Sequence, residues 1–243
     1  MTKAYADLHL LLNVRDAEKV LRAMGKASEF GYRLVALPFP KNFPEEGIQQ
    51  LREKCREYGV DLVSRVDLNP KTPKELISNL RVLRRRFEVI AVLCESKNVA
   101  RQAAKDRRVD LLNFPSPYSQ RFFDMAEAEL ASKSLANLEI DMNPILSLDG
   151  PARVRLLSSL RREASIAKEF RVSIVISSGV SDMRLMRKPR EYAALASLFN
   201  LDEALAINAI SKNPLAIVKR NREKLNPKFV APGIRIIREG KDC

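Results

Sequence analysis

Short runs of successive apolar residues alternate along the chain with longer stretches whose apolar positions recur every three or four residues. The short runs predict strands at residues 4–10, 33–39, 60–68, 88–94, 109–114, 138–145 and 172–177. Leu34-Val35-Ala36-Leu37 and Ile174-Val175-Ile176 are apolar at every position, as strands covered on both faces must be. Strand starts 21 to 34 residues apart leave room for one helix in each interval, which implies right-handed crossovers and a parallel sheet. The longer stretches predict helices: Val20, Met24, Ala27 and Phe30 share a face, as do Leu76, Leu80, Leu83 and Phe87, and Leu157, Leu160, Ala164 and Ala167. Asp16, Ser96 and Ser119 stand where N-caps belong. Asn213-Pro214 offers a cap followed by a first-turn proline, and Gly31 and Gly59 stand at helix ends.

Seven such units without a break in composition predict one domain over 1–243. The expected fold is α/β, a TIM-like distorted (β/α) barrel of about seven parallel strands with extra C-terminal helices at 193–199, 204–210 and 215–224. An open doubly wound sheet is the alternative. Residues 233–237 read as an edge strand or a tail; the tail is preferred, making 226–243 a basic C-terminal tail. Function in such barrels collects where strands end. Here that rim holds Lys41 and Asn42, Arg65 and Asp67, Glu95 and Ser96, Asn113, Asp141 and Asn143, and Ser177-Ser178-Gly179.

Composition narrows the chemistry. The 243 residues are 46% apolar, enough for a real core, and 43 Lys+Arg against 30 Asp+Glu leave a formal charge of +13. The one histidine, His9, cannot supply the imidazoles a zinc hydrolase draws on. The eight glycines form no dinucleotide, P-loop or nucleophile-elbow motif, so no catalytic residue is assigned. Cys55, Cys94 and Cys243 include no C-x-x-C pair, which suits a reducing compartment, with Cys55 and Cys94 as core filling. No apolar run approaches the roughly 18 residues of a membrane span, and no signal-peptide core precedes the first strand. A cytoplasmic protein with no membrane partner is expected.

The positive charge is clustered at 81–86, 101–108, 153–171, 184–190 and 219–224. Arg81, Arg84 and Arg85 fall off the apolar face of their helix and read as an outward stripe. The segment 177–191 leaves a buried strand through Gly179 and presents Arg184, Arg187, Lys188 and Arg190. Pro189 places these at a helix opening, where free N–H groups favour anions. That pattern suits a phosphate or RNA-backbone clamp, and arginine's planar fork suits phosphate.

With Tyr5-Ala6-Asp7-Leu8, Val109-Asp110-Leu111-Leu112, Leu138-Glu139-Ile140, the 177–191 segment and Ala209-x-Ser211-x-Asn213-Pro214, the chain resembles the ribonuclease P protein component 3 family. The resemblance implies a distorted barrel related to the polymerase and histidinol phosphatase superfamily. It also implies a subunit that binds ribonuclease P RNA, precursor tRNA, a small Pop-five-type protein and other ribonuclease P proteins, and that supports removal of 5′ leaders. The chain itself would bind no cofactor, with Mg in the holoenzyme RNA. By motif position it carries RNA-binding roles onto Arg187, Lys188 and Arg190, with Glu191 supporting, and onto Lys41, Arg65, Arg101 and Arg84. The metal-dependent relatives of that superfamily open with H-x-H. This chain has Asp7-Leu8-His9, so a metal phosphoesterase built on Asp7, His9, Asp67, Glu95 and Asp141 is the rival reading, and no metal site is expected. Asp7 is expected to partner a nearby arginine. A basic scaffold that binds only proteins is the third reading.

Overall fold

The computed structural model describes residues 4–115, 121–231 and 234–235. Seven strands form one parallel sheet in chain order: β1 (Tyr5–Asp7), β2 (Tyr32–Pro38), β3 (Asp61–Leu68), β4 (Val89–Leu93), β5 (Leu111–Asn113), β6 (Asn137–Asp141) and β7 (Ile174–Ser177). Between them run α1 (Ala17–Glu29), α2 (Glu45–Glu57), α3 (Pro73–Leu83), α4 (Lys97–Lys105), α5 (Met125–Ser134), α6 (Asn143–Ser147) and α7 (Gly150–Glu169). After β7 come α8 (Pro189–Leu195), a 3-10 turn (Ala196–Phe199), α9 (Glu203–Ala209) and α10 (Lys212–Leu225). The expected seven-stranded barrel with C-terminal helices is what the chain forms.

Local signals account for most boundaries. Asp16 and Ser96 accept the N–H of Lys19 and Val99, capping α1 and α4 as expected. Gly31 and Gly59, at φ of +93° and +70°, end α1 and α2 where other residues would be strained. The expected cap at Ser119 lies outside the described residues; α5 is capped instead by an Asp124–Glu127 capping box. The strand expected over 138–145 stops at Asp141, because Pro144 sits in the first turn of α6 and cannot donate to a ladder.

Ring closure is where the fold departs from a complete barrel. At the strand ends, Leu10 pairs with Val180, and Gly179 donates to the His9 carbonyl. At the strand starts no eighth strand among the described residues fills the gap between β1 and β7. The α9–α10 connection and the first turn of α10 fill it: the Ile210 carbonyl accepts the Ala6 N–H, and the Asn213 amide donates to the Ile174 carbonyl at 2.8 Å. Asn213 therefore satisfies a sheet edge rather than capping α10, whose N-cap is Ser211. Residues Phe229–Ala231 and Ile234–Arg235 pair as a separate antiparallel hairpin outside the barrel sheet, so the start of the expected tail is ordered as strand. No helix among the described residues is long and apolar enough to cross a membrane.

The core has two compartments. The larger lies between sheet and helices and takes in Cys55, Cys94 and Phe123. The smaller is the barrel interior, where Ala6, Leu34, Ala36, Val63, Val89, Ala91, Leu111 and Val175 meet Ile217 and Val218 from α10, which plugs the strand-start end. One layer up, toward the strand ends, the same inward positions turn polar: Arg65, Asn113, Glu139 and Ser177, all buried.

Candidate functional site

That polar layer is the floor of a cavity of about 310 Å³ at the strand-end mouth, the face where barrels of this type assemble their sites. Arg65 is wholly buried and rises from within β3. Its Nη1 and Nη2 grip Glu139 of β6 at 2.6 and 2.7 Å, Nε reaches Asp67 at 2.6 Å, and Nη1 also donates to the Leu8 carbonyl. Glu139 accepts further hydrogen bonds from Asn113 at 2.9 Å and Ser177 at 2.7 Å. Such a forked, charge-assisted pair offsets the desolvation of both ions only because every lone pair is engaged.

Above it, His9 lies between two aspartates. Its Nδ1 stands 2.9 Å from Asp141 and its Nε2 3.1 Å from Asp67, so both ring nitrogens face carboxylates and both must donate. Burial and the Arg65 guanidinium press the imidazole toward neutrality, but the two aspartates outweigh them and hold its pKa at about 10. Burial would raise Asp67 and Asp141; Arg65 and His9 reverse this and hold both below the usual carboxylate range. Asp7 goes the other way. Burial raises its pKa against the N–H groups of Ser178 and His9, which its Oδ1 accepts at 2.9 and 3.1 Å, while Oδ2 has no partner. The arginine partner expected for Asp7 is thus replaced by backbone.

His9, Glu139 and Asp141 bring one ligand atom each within 4.8 Å of one another. As packed they do not fit a metal ion. Both His9 nitrogens are spent as donors, and the Glu139 oxygens are held by Arg65, Asn113 and Ser177. Two organic cations, a guanidinium and an imidazolium, stand among these acids. Of the rival reading's candidates, His9, Asp67 and Asp141 converge. Glu95 instead pairs with Lys71 on the surface.

The residues expected to meet RNA are scattered, and two are corrected outright. Arg65 is inaccessible, being 0% exposed. Arg84 does not join an outward stripe with Arg81 and Arg85: it turns inward to Asp110 at 2.5 Å and to the carbonyls of Phe87, Glu88 and Arg108. It belongs to a seam around α10 at the barrel base. There Arg220 and Asn221 also bind Asp110, Arg222 binds Asp61 and Glu88, and Arg52 binds Glu88. The cluster at 219–224 is thus partly spent on internal acids.

Lys41 is exposed just beyond β2 at the mouth rim, 3.3 Å from Asn79, and Arg101 is half-exposed beside Glu127. The 177–191 segment runs down the outside of the barrel. The Met183 carbonyl accepts from Lys26 in the last turn of α1, and the Arg187 carbonyl from Tyr32, the first residue of β2. Arg187, Lys188 and Arg190 therefore lie toward the strand-start end, opposite Lys41. The Arg187 guanidinium holds its own loop through the Arg184 and Met186 carbonyls. At the α8 opening the expected anion is already supplied from within: Glu191 accepts the Lys188 N–H at 3.0 Å.

Glu139, Asp110 and Glu88 were not singled out from the sequence as site residues. Their signal was available: an acid inside or bordering an apolar strand, as in Leu138-Glu139-Ile140, needs a buried partner.

Known proteins resemble this chain along its whole length. A family model described as RNase P subunit p30 matches residues 4–226. A ribonuclease P protein component 3 from Methanosarcina barkeri is 34% identical over 175 residues, 72% of each chain. One from Methanothermobacter thermautotrophicus is 25% identical over 243 residues, 97% of this chain and 96% of the relative. In fold, the chain matches a component of a cryo-EM structure of archaeal ribonuclease P with mature tRNA, with a TM-score of 0.82, 21% identity and coverage of 98% and 100%. A Xaa-Pro dipeptidase with methionine in its active site matches more loosely, at a TM-score of 0.59, 8% identity and coverage of 90% and 76%.

Proposed function

Since the chain belongs to the RNase P subunit p30 family, we propose that it acts as a non-catalytic protein subunit of ribonuclease P, binding the enzyme's RNA and supporting removal of 5′ leaders from precursor tRNA. The observation that carries this reading is the family match from residue 4 to 226, which spans the whole barrel. Cleavage is assigned to Mg in the RNA, and a Pop-five-type small subunit is the expected protein partner. The mouth supports a non-catalytic role, because its acids are already engaged by Arg65 and His9.

Charge distribution supports a direction for the RNA. At the base seam, Arg52, Arg84, Arg220 and Arg222 face Asp61, Glu88 and Asp110, one positive charge in excess. Lys188 and Arg190 lie on the same side, and Lys219 and Lys224 are exposed on α10. A polyanion is drawn to that end. Lys41 and Arg101 then contribute as peripheral phosphate contacts.

The test is omission. Ribonuclease P is rebuilt from its RNA and proteins with and without this chain, and precursor-tRNA cleavage is measured against magnesium. A higher magnesium requirement or a lost rate without the chain supports the reading; unchanged cleavage overturns it.

A further inference from the structure

We propose that Arg107, Arg220 and Lys224, gathered at the barrel base where α3, the α4–β5 turn and α10 meet, bind phosphates of an RNA backbone. This rests on the RNA reading above and gives that reading a particular place on the molecule.

The corner is built around one buried acid. Asp110, just before β5, accepts Arg84 and the Ile90 N–H on one carboxylate oxygen and Arg220 and Asn221 on the other, which fills its four acceptor positions. Arg84 is equally spent. Its Nη1 and Nη2 also hold the carbonyls of Arg108, Phe87 and Glu88, and the first of these ties the turn that carries Arg107 to the end of α3. Arg220 gives Nη2 to Asp110 and Nε to its neighbour Asn221, so its Nη1 has no partner among the described residues. Lys224 lies one helical turn further along the same face of α10. Lys224 and Arg107 are exposed, and neither has an acidic partner among the described residues. The neighbouring acids are taken: Asp106 by Arg108, and Glu88 by Arg52 and Arg222. Glu223 lines a separate recess with Asp61 and Arg222.

Four cations thus stand about a single carboxylate, three positive charges in excess. Burial comes first, but Arg220, Arg84 and Arg107 also push the Lys224 ammonium below the usual lysine range, against the pull of Asp110. Like charges held together work against the compact state, and a polyanion relieves them. Arg84 and Asp110 act as the bracket that positions the three outward groups. Backbone phosphate suits these groups better than a protein face does. Phosphate contacts are made chiefly by arginine and lysine, whereas the cores of protein interfaces are depleted of lysine. A small anion meets only part of an excess that successive phosphates meet together.

Binding of labelled ribonuclease P RNA to the full chain, followed by fluorescence anisotropy over a salt series, tests the site. Arg107→Gln with Lys224→Gln should lower affinity about 10–30-fold near physiological salt and reduce the slope of log K against log salt by about one per residue. Because this pair relieves the crowding, its urea midpoint should equal or exceed that of the wild type. The charge-preserving pair, Arg107→Lys with Lys224→Arg, should keep the wild-type slope. Arg155→Gln with Arg162→Gln removes two exposed arginines from α7 and controls for net charge; it should leave the slope unchanged. If the wild type binds the RNA with a steep salt dependence and the Arg107/Lys224 glutamine pair matches it, this site is overturned while the RNA reading stands. No binding by the wild type overturns both. An equal loss from the α7 pair, a loss of affinity accompanied by a lowered urea midpoint, or loss of a protein subunit instead of RNA from the rebuilt enzyme also overturns the site.

Discussion

The two ends of this barrel use the same chemistry for opposite purposes. At the base, guanidinium groups from flanking helices, still partly exposed, reach over Asp61, Glu88 and Asp110 and fasten α10 across the opening. At the mouth the guanidinium comes from inside, on β3, and is completely buried, so it holds the acids without roofing them over. One end is closed and slightly positive, the other open and slightly negative. What decides the outcome is where the cation is rooted. A helix-borne arginine brings its helix with it, whereas a strand-borne one leaves a cavity above.

The comparison breaks most visibly at Arg65. Arg65→Met strands Glu139 in the interior and should cost about 3–5 kcal/mol, read as a lowered urea midpoint. A loss no larger than that of an exposed arginine would mean that the mouth is fastened no differently from the surface. At the base, Asn221→Ala removes amide donors 2.7 Å from the Glu88 carbonyl and 2.8 Å from Asp110. About 1–3 kcal/mol is expected, with faster hydrogen exchange confined to α10 and the starts of β4 and β5.

A pH series sharpens the contrast further. His9 holds its proton more tightly folded than unfolded, so its contribution is complete below about pH 6.5 and is lost as pH rises through its folded value of about 10. The stability margin of the wild type over His9→Gln should narrow by about 1 kcal/mol per pH unit across that window; a margin that widens would contradict the imidazolium assignment. Smallest on the fold is Lys188→Ala with Arg190→Ala. Stability should stay within about 0.5 kcal/mol, while the salt dependence of RNA binding falls by about one counterion per residue. An unchanged slope would remove this segment from the RNA-facing side.

Strand spacing and apolar runs made the seven-unit barrel legible, since β2, β4 and β7 are covered on both faces and carry continuous apolar runs at 34–37, 89–93 and 174–176. Pro144 was a readable stop for β6, of the same kind as the Asn213-Pro214 pair. The mouth was half legible: rim positions picked out Asp67, Asn113 and Asp141, but Glu139 lies one layer deeper, in the middle of a strand. Arginine roles were the least legible. Helical periodicity places Arg84 off the apolar face, yet its long side chain reaches around to Asp110. Whether an arginine faces solvent or an internal acid depends on tertiary partners that local pattern does not encode.

The way the ring closes at its base has a consequence for how the protein is made. Ile210 and Asn213, which lace β1 to β7 at the barrel base, come late in the chain, some two hundred residues after Ala6. A nascent polypeptide can stack its early βα units in order, but its first strand keeps an unpaired edge until that late segment arrives. Synthesis halted before residue 210 should therefore leave a chaperone-dependent, aggregation-prone fragment, and the segment around Ile210 and Asn213 acts as the latch that completes the ring.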